Sequence, residues 1–248
     1  MTVQTTLLLL QLYLAHVVAE FLAQPGWVVR NKRRPHGFAA HAALHVAAAC
    51  AAVNIGLTAW LFLGIVALAV AHVVLDYVKN RFTNDGPIAL AVAQAAHLLA
   101  VGVTAVWMTT SWAGAIDLMA HAARSTRLYL YLSSYVAVVF GGGAVVQKVT
   151  QSFLDQIHAN VAASKPGLLN AGKYIGWVER FLILTFVLAG YDAAVGLLLA
   201  AKAVVRYPEI KEDTKSHFAE YFLIGTLTSV GLALVAGIAV RKIRTLVG

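Results

Sequence analysis

Apolar runs about as long as a membrane is thick constrain this chain more than any other feature. Residues 3–23, 59–79 and 88–108 are dominated by apolar side chains, and similar runs recur at 38–53, 128–146, 174–189, 191–205 and 218–240. About 20 apolar residues in helical form cross a hydrocarbon core of about 30 Å. A helix also satisfies the backbone polar groups of a single segment where no water is present. The chain of 248 residues is 60% hydrophobic and 12% charged, against about 25% charged in an ordinary soluble domain, and its mean hydropathy is +0.75. These features predict an all-α fold, a polytopic transmembrane helical bundle of about seven to eight spanning segments. Its expected parts are a four-helix bundle over residues 1–108, a linker over 109–127 and a C-terminal helical half over 128–248.

The formal net charge is +8, yet the basic residues fall in short clusters between apolar runs: Arg30 to Arg34, Lys79 to Arg81 and Arg241 to Arg244. Clusters at segment ends act as topology determinants and headgroup contacts. The expected partners are therefore membrane lipids and not nucleic acid, with homo-oligomerisation left open. Cys50 is the single cysteine, so no intrachain disulfide can form. The first run lacks a basic segment before it and has one after it, the reverse of a cleaved signal peptide, so it reads as a retained helix with its N-terminus outside. Lys79 to Arg81 then falls on the same side as Arg30 to Arg34, whereas eight spans put the Arg241 to Arg244 tail on the opposite side. Either one C-terminal segment is re-entrant or interfacial, or the tail departs from the tendency.

The punctuation of the chain is consistent with this division. Asn54 to Thr58 reads as a tight turn, Thr83-Asn84-Asp85-Gly86-Pro87 as a second one, and Lys165-Pro166-Gly167 as the end of an amphipathic surface helix begun near Gln147. Gly141-Gly142-Gly143 permits close packing or a kink. No Gly-Lys-Ser or Gly-Lys-Thr follows these glycines, which argues against a phosphate loop.

Each of the first four runs carries a polar motif at helical spacing: His16-x3-Glu20-x3-Gln24, His41-x3-His45, His72-x3-Asp76-x2-Lys79 and Gln94-x2-His97. Steps of three and four residues return to one face of a helix, and four such faces can converge inside a bundle. A carboxylate at the centre of a membrane helix costs about 2.5–3.5 kcal/mol and faces a partner or a cavity. The expected metal ligands are His16, Glu20, His41, His45, His72, Asp76 and His97. Imidazoles with one or two carboxylates suit a divalent ion, zinc first, with manganese or iron as alternatives. The plainer reading is that these histidines hydrogen-bond across helix interfaces. A ferritin-like di-iron site wants more Glu residues and Glu-x-x-His spacing. Haem between His45 and His97 would leave the acids unexplained. An open zinc position would generate a hydroxide nucleophile near pH 7. Glu20, Lys79 and Gln94 are then the expected catalytic groups, and Gln24, Arg30, Lys32 and Arg33 the expected substrate contacts. Lys79 has the alternative of snorkelling to the interface.

These motifs, with the Arg-Asn-Lys-Arg run between the first two, resemble an uncharacterised family of bacterial integral membrane proteins, a domain of unknown function, over about residues 7–107. The stretches Gly172 to Arg180 and Ala219 to Thr226 resemble the C-terminal extension of its longer members. This resemblance implies a multi-pass protein of the bacterial inner (cytoplasmic) membrane and brings no activity with it. More weakly, the His-x3-acid pairs are similar to the zinc-dependent phospholipase C and P1-nuclease group and to predicted membrane-bound metal-dependent hydrolases. That likeness implies phosphoester hydrolysis with His16, Glu20, His72 and Asp76 as ligands. His41, His45 and His97 would be further ligands or their supports. The second helix departs from the pattern with His-x3-His, and the fourth with Gln-x2-His.

The expected function is thus a membrane-embedded, metal-dependent hydrolase acting on a lipid or other phosphoester near the cytoplasmic interface. The alternatives are a transporter or channel for metal ions or protons using the same cluster, and a haem or metal redox protein. In the C-terminal half, Lys173, Glu179, Arg180, Asp192, Lys202, Arg206 and Glu220 read either as helix-to-helix ion pairs and anchors or as a substrate path.

Overall fold

The computed structural model describes residues 3–32, 34–53, 59–83, 86–110, 122–160, 171–212 and 218–246. The expected turn at Asn54 to Thr58, the middle of the 109–127 linker, Asn84, Asp85, Lys165-Pro166-Gly167 and the substrate contact Arg33 lie outside the described residues. The described residues form helices α1 (Val3–Val17), α2 (Gly26–Asn31), α3 (Pro35–Ala52), α4 (Ala59–Phe82), α5 (Pro87–Thr110), α6 (Ala122–Val136), α7 (Gly142–Asn160), α8 (Ala171–Ala189), α9 (Asp192–Glu212) and α10 (Phe218–Leu246). Single π-helical turns at Val18–Leu22 and Ala137–Gly141 extend α1 and join α6 to α7.

Local sequence explains the helix ends. Pro35 and Pro87 open α3 and α5, where a fixed φ is suited to the helix and the missing N–H would be unpaired anyway. Gly190 closes α8 with φ +83°. Its N–H donates to the Val187 carbonyl at 3.2 Å, and the Tyr191 N–H donates to the Phe186 carbonyl at 2.8 Å. This is the two-bond Schellman closure that glycine permits.

The chain divides into two compact units, Met1–Ala137 with Arg244–Gly248, and Val138–Ile243. In the first unit, α1 packs on α3, α3 on α4, α4 on α5 and α5 on α1, which closes a four-helix ring. Helix α6 lies against α1 as well, so the region ascribed to a linker and the start of the C-terminal half contributes a helix to the N-terminal unit. One end of the bundle is filled by an apolar layer of Leu8, Leu12, Ala49, Leu61, Ile65, Val101, Ala105 and Met108. The polar motifs occupy the other end, with His16, His41, His45, His72, Asp76 and His97 all buried. Gly64 permits the α4–α5 approach, because a Cβ there would stand 2.8 Å from the Met108 Sδ.

The second unit has a buried arginine of its own. Arg180 on α8 is 3% exposed. Its Nε and Nη2 donate to the Val139 carbonyl at 3.0 and 2.7 Å, and its Nη1 donates to Ser229 Oγ at 3.2 Å. Val139 belongs to the second π-helical turn, whose altered register leaves a carbonyl to be claimed by a side chain. Gly142, Gly143 and Gly176 border the Arg180 side chain, where added Cβ atoms would come within 3.0–3.1 Å of it. The glycine run thus serves close packing. Glu179 pairs with Lys202 at 2.6 Å and Asp192 with Arg241 at 3.3 Å, which fits the reading of this polar set as ion pairs between helices.

Five helical stretches are long and apolar enough to cross a membrane: Gln4–Leu22, Ala59–Phe82, Pro87–Thr109, Thr126–Gln151 and Ala219–Leu246. The expectation of seven to eight spans therefore exceeds what length and composition support among the described residues. Histidines interrupt α3, and charged side chains interrupt α8 and α9. The segment read as ending at Val146 and passing into a surface helix belongs to a stretch that is apolar enough to cross a membrane through to Gln151.

Candidate metal centre

The centre lies where the second half of α1, the first half of α3, the second half of α4 and the first half of α5 meet. Chain direction alternates around the ring, so motifs late in one helix fall level with motifs early in the next. The π-helical turn departs from the regular spacing. Ala23 N–H bonds back to Val18 O at 2.8 Å, a five-residue step within which Glu20 is carried. Such turns are frequent at functional sites.

Glu20 Oε2 lies 3.2 Å from His41 Nε2, 3.7 Å from His45 Nε2 and 3.6 Å from His72 Nε2. Asp76 Oδ2 lies 3.3 Å from His41 Nε2 and 3.7 Å from His72 Nε2, and Asp76 Oδ1 lies 3.7 Å from His97 Nε2. The Nε2 atoms of His41 and His72 are 2.8 Å apart. Ligand atoms of Glu20, His41, His45 and His72 all fall within 4.8 Å of one another, as do those of His16, His72 and His97. Ligands about 2.0–2.1 Å from a tetrahedral ion stand about 3.3 Å apart, so the spacings fit a shared cation.

The hydrogen bonding points the same way. Among the described residues, Glu20 Oε2, His45 Nε2, Asp76 Oδ2 and both ring nitrogens of His97 are buried with no hydrogen-bond partner. Unpaired buried polar atoms are costly and uncommon. A cation at their focus would satisfy several of them at once. These residues can hold a metal ion.

The expected site residues divide into three sets. All seven proposed ligands converge. Gln94, Gln24 and Lys32 also reach the centre, the two glutamines through one ligand each and Lys32 through two. Gln94 Oε1 accepts from His16 Nε2 at 3.1 Å, and the Gln24 amide meets His41 Nδ1 at 2.9 Å. Lys32 Nζ lies 3.0 Å from Glu20 Oε1 and 3.5 Å from Asp76 Oδ2. Lys79 and Arg30 are not brought there. Arg30 is exposed on α2, and Lys79 borders an apolar groove of about 480 Å³ with Leu75, Val78, Ile88 and Val92.

Sequence reasoning assigned Lys32 to substrate and did not anticipate its position between the two acids. Its only signal was its place in a basic run. The packing that puts it there depends on Gly37, where an added Cβ would collide with the Asn31 carbonyl at the end of α2. A small cavity of about 20 Å³ adjoins the histidines, lined by His16, His45, His72 and His97 and by Leu12, Ile65 and Val101 on its apolar side. It has room for about one water.

No curated protein and no solved structure matches this chain, so the likeness to phospholipases and nucleases gains no named relative. One family model does match, covering residues 8–123, which span α1 to α5 and hence every proposed ligand. Over those residues the chain is similar to the family described as a protein of unknown function (DUF3307).

Proposed function

We propose that the N-terminal bundle is a metal-dependent hydrolase that acts on a lipid or other phosphoester at the cytoplasmic face of the bacterial inner membrane. Zinc is the first choice of ion, with manganese or iron as the other fits to a His and carboxylate set. In this reading α3, with α8 or with both α8 and α9, joins the five long apolar helices to give about seven to eight spans. The observation that carries the proposal is the convergence of Glu20, His41, His45, His72 and Asp76 at one end of the bundle, beside the basic α2 segment. The apolar layer closes the opposite half. An apolar layer beyond the centre suits catalysis better than passage.

Glu20, His41, His45 and His72 would hold the ion, with Asp76 beside them. A divalent ion so held supplies Lewis acidity and makes a water ionise near neutral pH. The residues of the chain do the rest. Asp76 is placed to take up a proton from an attacking water. Gln94 and Gln24 fix the rings of His16 and His41. Arg30 and the neighbouring basic residues attract an anionic headgroup. The groove bordered by Lys79 can accept an acyl chain with the ammonium at headgroup level.

The test is metal analysis of the purified protein and of His72→Ala and Asp76→Ala, with phosphoester turnover measured on the same samples. Wild type should retain about one or more equivalents of metal, His72→Ala should lose metal and turnover together, and Asp76→Ala should lose turnover. Equal metal content in all three would end the proposal. A second reading, transit of metal ions, draws on the two ligand groups that share His72 along the bundle. Zinc flux into proteoliposomes without hydrolytic turnover would favour it.

A further inference from the structure

The strongest feature left unused is the position of Lys32. Among the described residues it is the ammonium set against both acids of the centre, 3.0 Å from Glu20 Oε1 and 3.5 Å from Asp76 Oδ2. Its side chain is largely buried, as are the two carboxylates. Arg30, two residues earlier and within α2, is exposed. The segment bearing Lys32 is well anchored. Val28 of α2 is fully buried, Asn31 Nδ2 donates to the Trp27 carbonyl at 2.8 Å, and the end of α2 is pressed against Gly37.

We propose that Lys32 is a tethered cation that occupies the carboxylate side of the centre and is displaced when a divalent ion binds. Charge balance in a poorly solvated interior favours that exchange. With neutral imidazoles, Glu20 and Asp76 contribute two negative charges and Lys32 one positive. A divalent ion added with Lys32 in place leaves a net positive charge among buried groups. The same ion with Lys32 withdrawn leaves none. Uncompensated charge is what such an interior disfavours most. The contacts agree with the charge count. Lys32 Nζ takes Glu20 Oε1 and reaches toward Asp76 Oδ2, the oxygen that also faces His41 and His72. At Asp76 Oδ2 the ammonium and a metal would therefore compete for one oxygen, and at Glu20 they would share one carboxylate, the ammonium on Oε1 and the histidine-facing oxygen being Oε2. Lys32 offsets one of the two carboxylate charges when no metal is bound, and it sets a threshold concentration for loading. This inference rests on the metal-binding reading above and adds to it a built-in competitor.

The experiment is zinc titration of full-length protein in detergent after chelator treatment, read by competition with a chromophoric chelator. The set is wild type, Lys32→Met, Lys32→Arg and Arg30→Met. Lys32→Met should bind zinc about tenfold or more tightly than wild type, since close charge pairs couple by at least that factor. Lys32→Arg keeps the charge and should bind no more tightly than wild type. Arg30→Met loses the same formal charge at an exposed, screened position and should change affinity by less than about twofold. Unchanged or weaker binding by Lys32→Met would overturn the proposal. So would an equal gain in Lys32→Arg or Arg30→Met, because the effect would then not be the withdrawal of an ammonium from the acids. Absence of zinc binding in all four proteins is a different result, which removes the metal reading itself and this inference with it.

Discussion

A histidine can offer a cation only the ring nitrogen that does not carry its proton, so the partner of the other nitrogen matters as much as the ligand itself. Gln94 accepts from His16 Nε2 through its carbonyl oxygen, which leaves His16 Nδ1 free to ligate. Gln24 faces His41 Nδ1 at 2.9 Å, and His41 Nε2 is the nitrogen turned toward Glu20, Asp76 and His72. For that nitrogen to ligate, the proton must sit on Nδ1 and be accepted by the Gln24 carbonyl oxygen, a half-turn of the side-chain amide. Gln24→Leu should then weaken metal binding about 10- to 100-fold while leaving the amount of folded protein unchanged. Isothermal titration of the purified variant checks this, and wild-type affinity would show that Gln24 is only a neighbour. The sequence marked both glutamines as part of the site from their spacing. It did not show that they bind rings, because a period places a side chain on a face without naming its partner.

At the scale of the element, two glycines permit close approach at different cost. A Cβ at Gly37 would meet the backbone of Asn31, whereas a Cβ at Gly64 would meet the end of the Met108 side chain at 2.8 Å. Backbone cannot step aside, and methionine is flexible enough to repack. Gly37→Ala should therefore cost about 1–3 kcal/mol and shift Lys32 away from the acids, whereas Gly64→Ala should cost less than about 1 kcal/mol. Thermal unfolding of the two variants in the same detergent makes the comparison, and equal losses would refute the assignment of α2 as held through Gly37. The π-helical turn at Val18–Leu22 is likewise an element-scale feature. The sequence gives an unbroken run of four-residue steps from His16 through Glu20 to Gln24. In the structure the regular helix stops at Val17, and Gln24 lies beyond the helical backbone. The reach from Gln24 to His41 is set by that change in winding.

At the scale of the whole molecule, each of the two units has its own buried polar feature. Arg180 donates to the Val139 carbonyl and to Ser229, and these partners all belong to the second unit. Hydrogen bonds from a charged group contribute about 1.5–3 kcal/mol. Arg180→Met should lower stability by about 2 kcal/mol or more while leaving metal content at the wild-type level, since sites with no shared partner act independently. Unfolding and metal analysis of one preparation supply both numbers. Loss of metal in this variant would show that the two units are coupled energetically.

The sequence by itself determined that the chain is helical, rich in helices fit for a membrane, and furnished with histidines and acids on the inner faces of its first four apolar runs. These properties are legible because hydrophobic length and helical period act along the chain, within a few residues of one another. Tertiary structure alone decided that α5 closes the ring on α1, that α6 belongs with the N-terminal unit, and that Lys32 lies between Glu20 and Asp76 while Lys79 does not. Those outcomes depend on which helices pack side by side and on a few close backbone contacts, such as that between Gly37 and Asn31. Contacts of that kind join residues whose spacing along the chain carries no periodic signal.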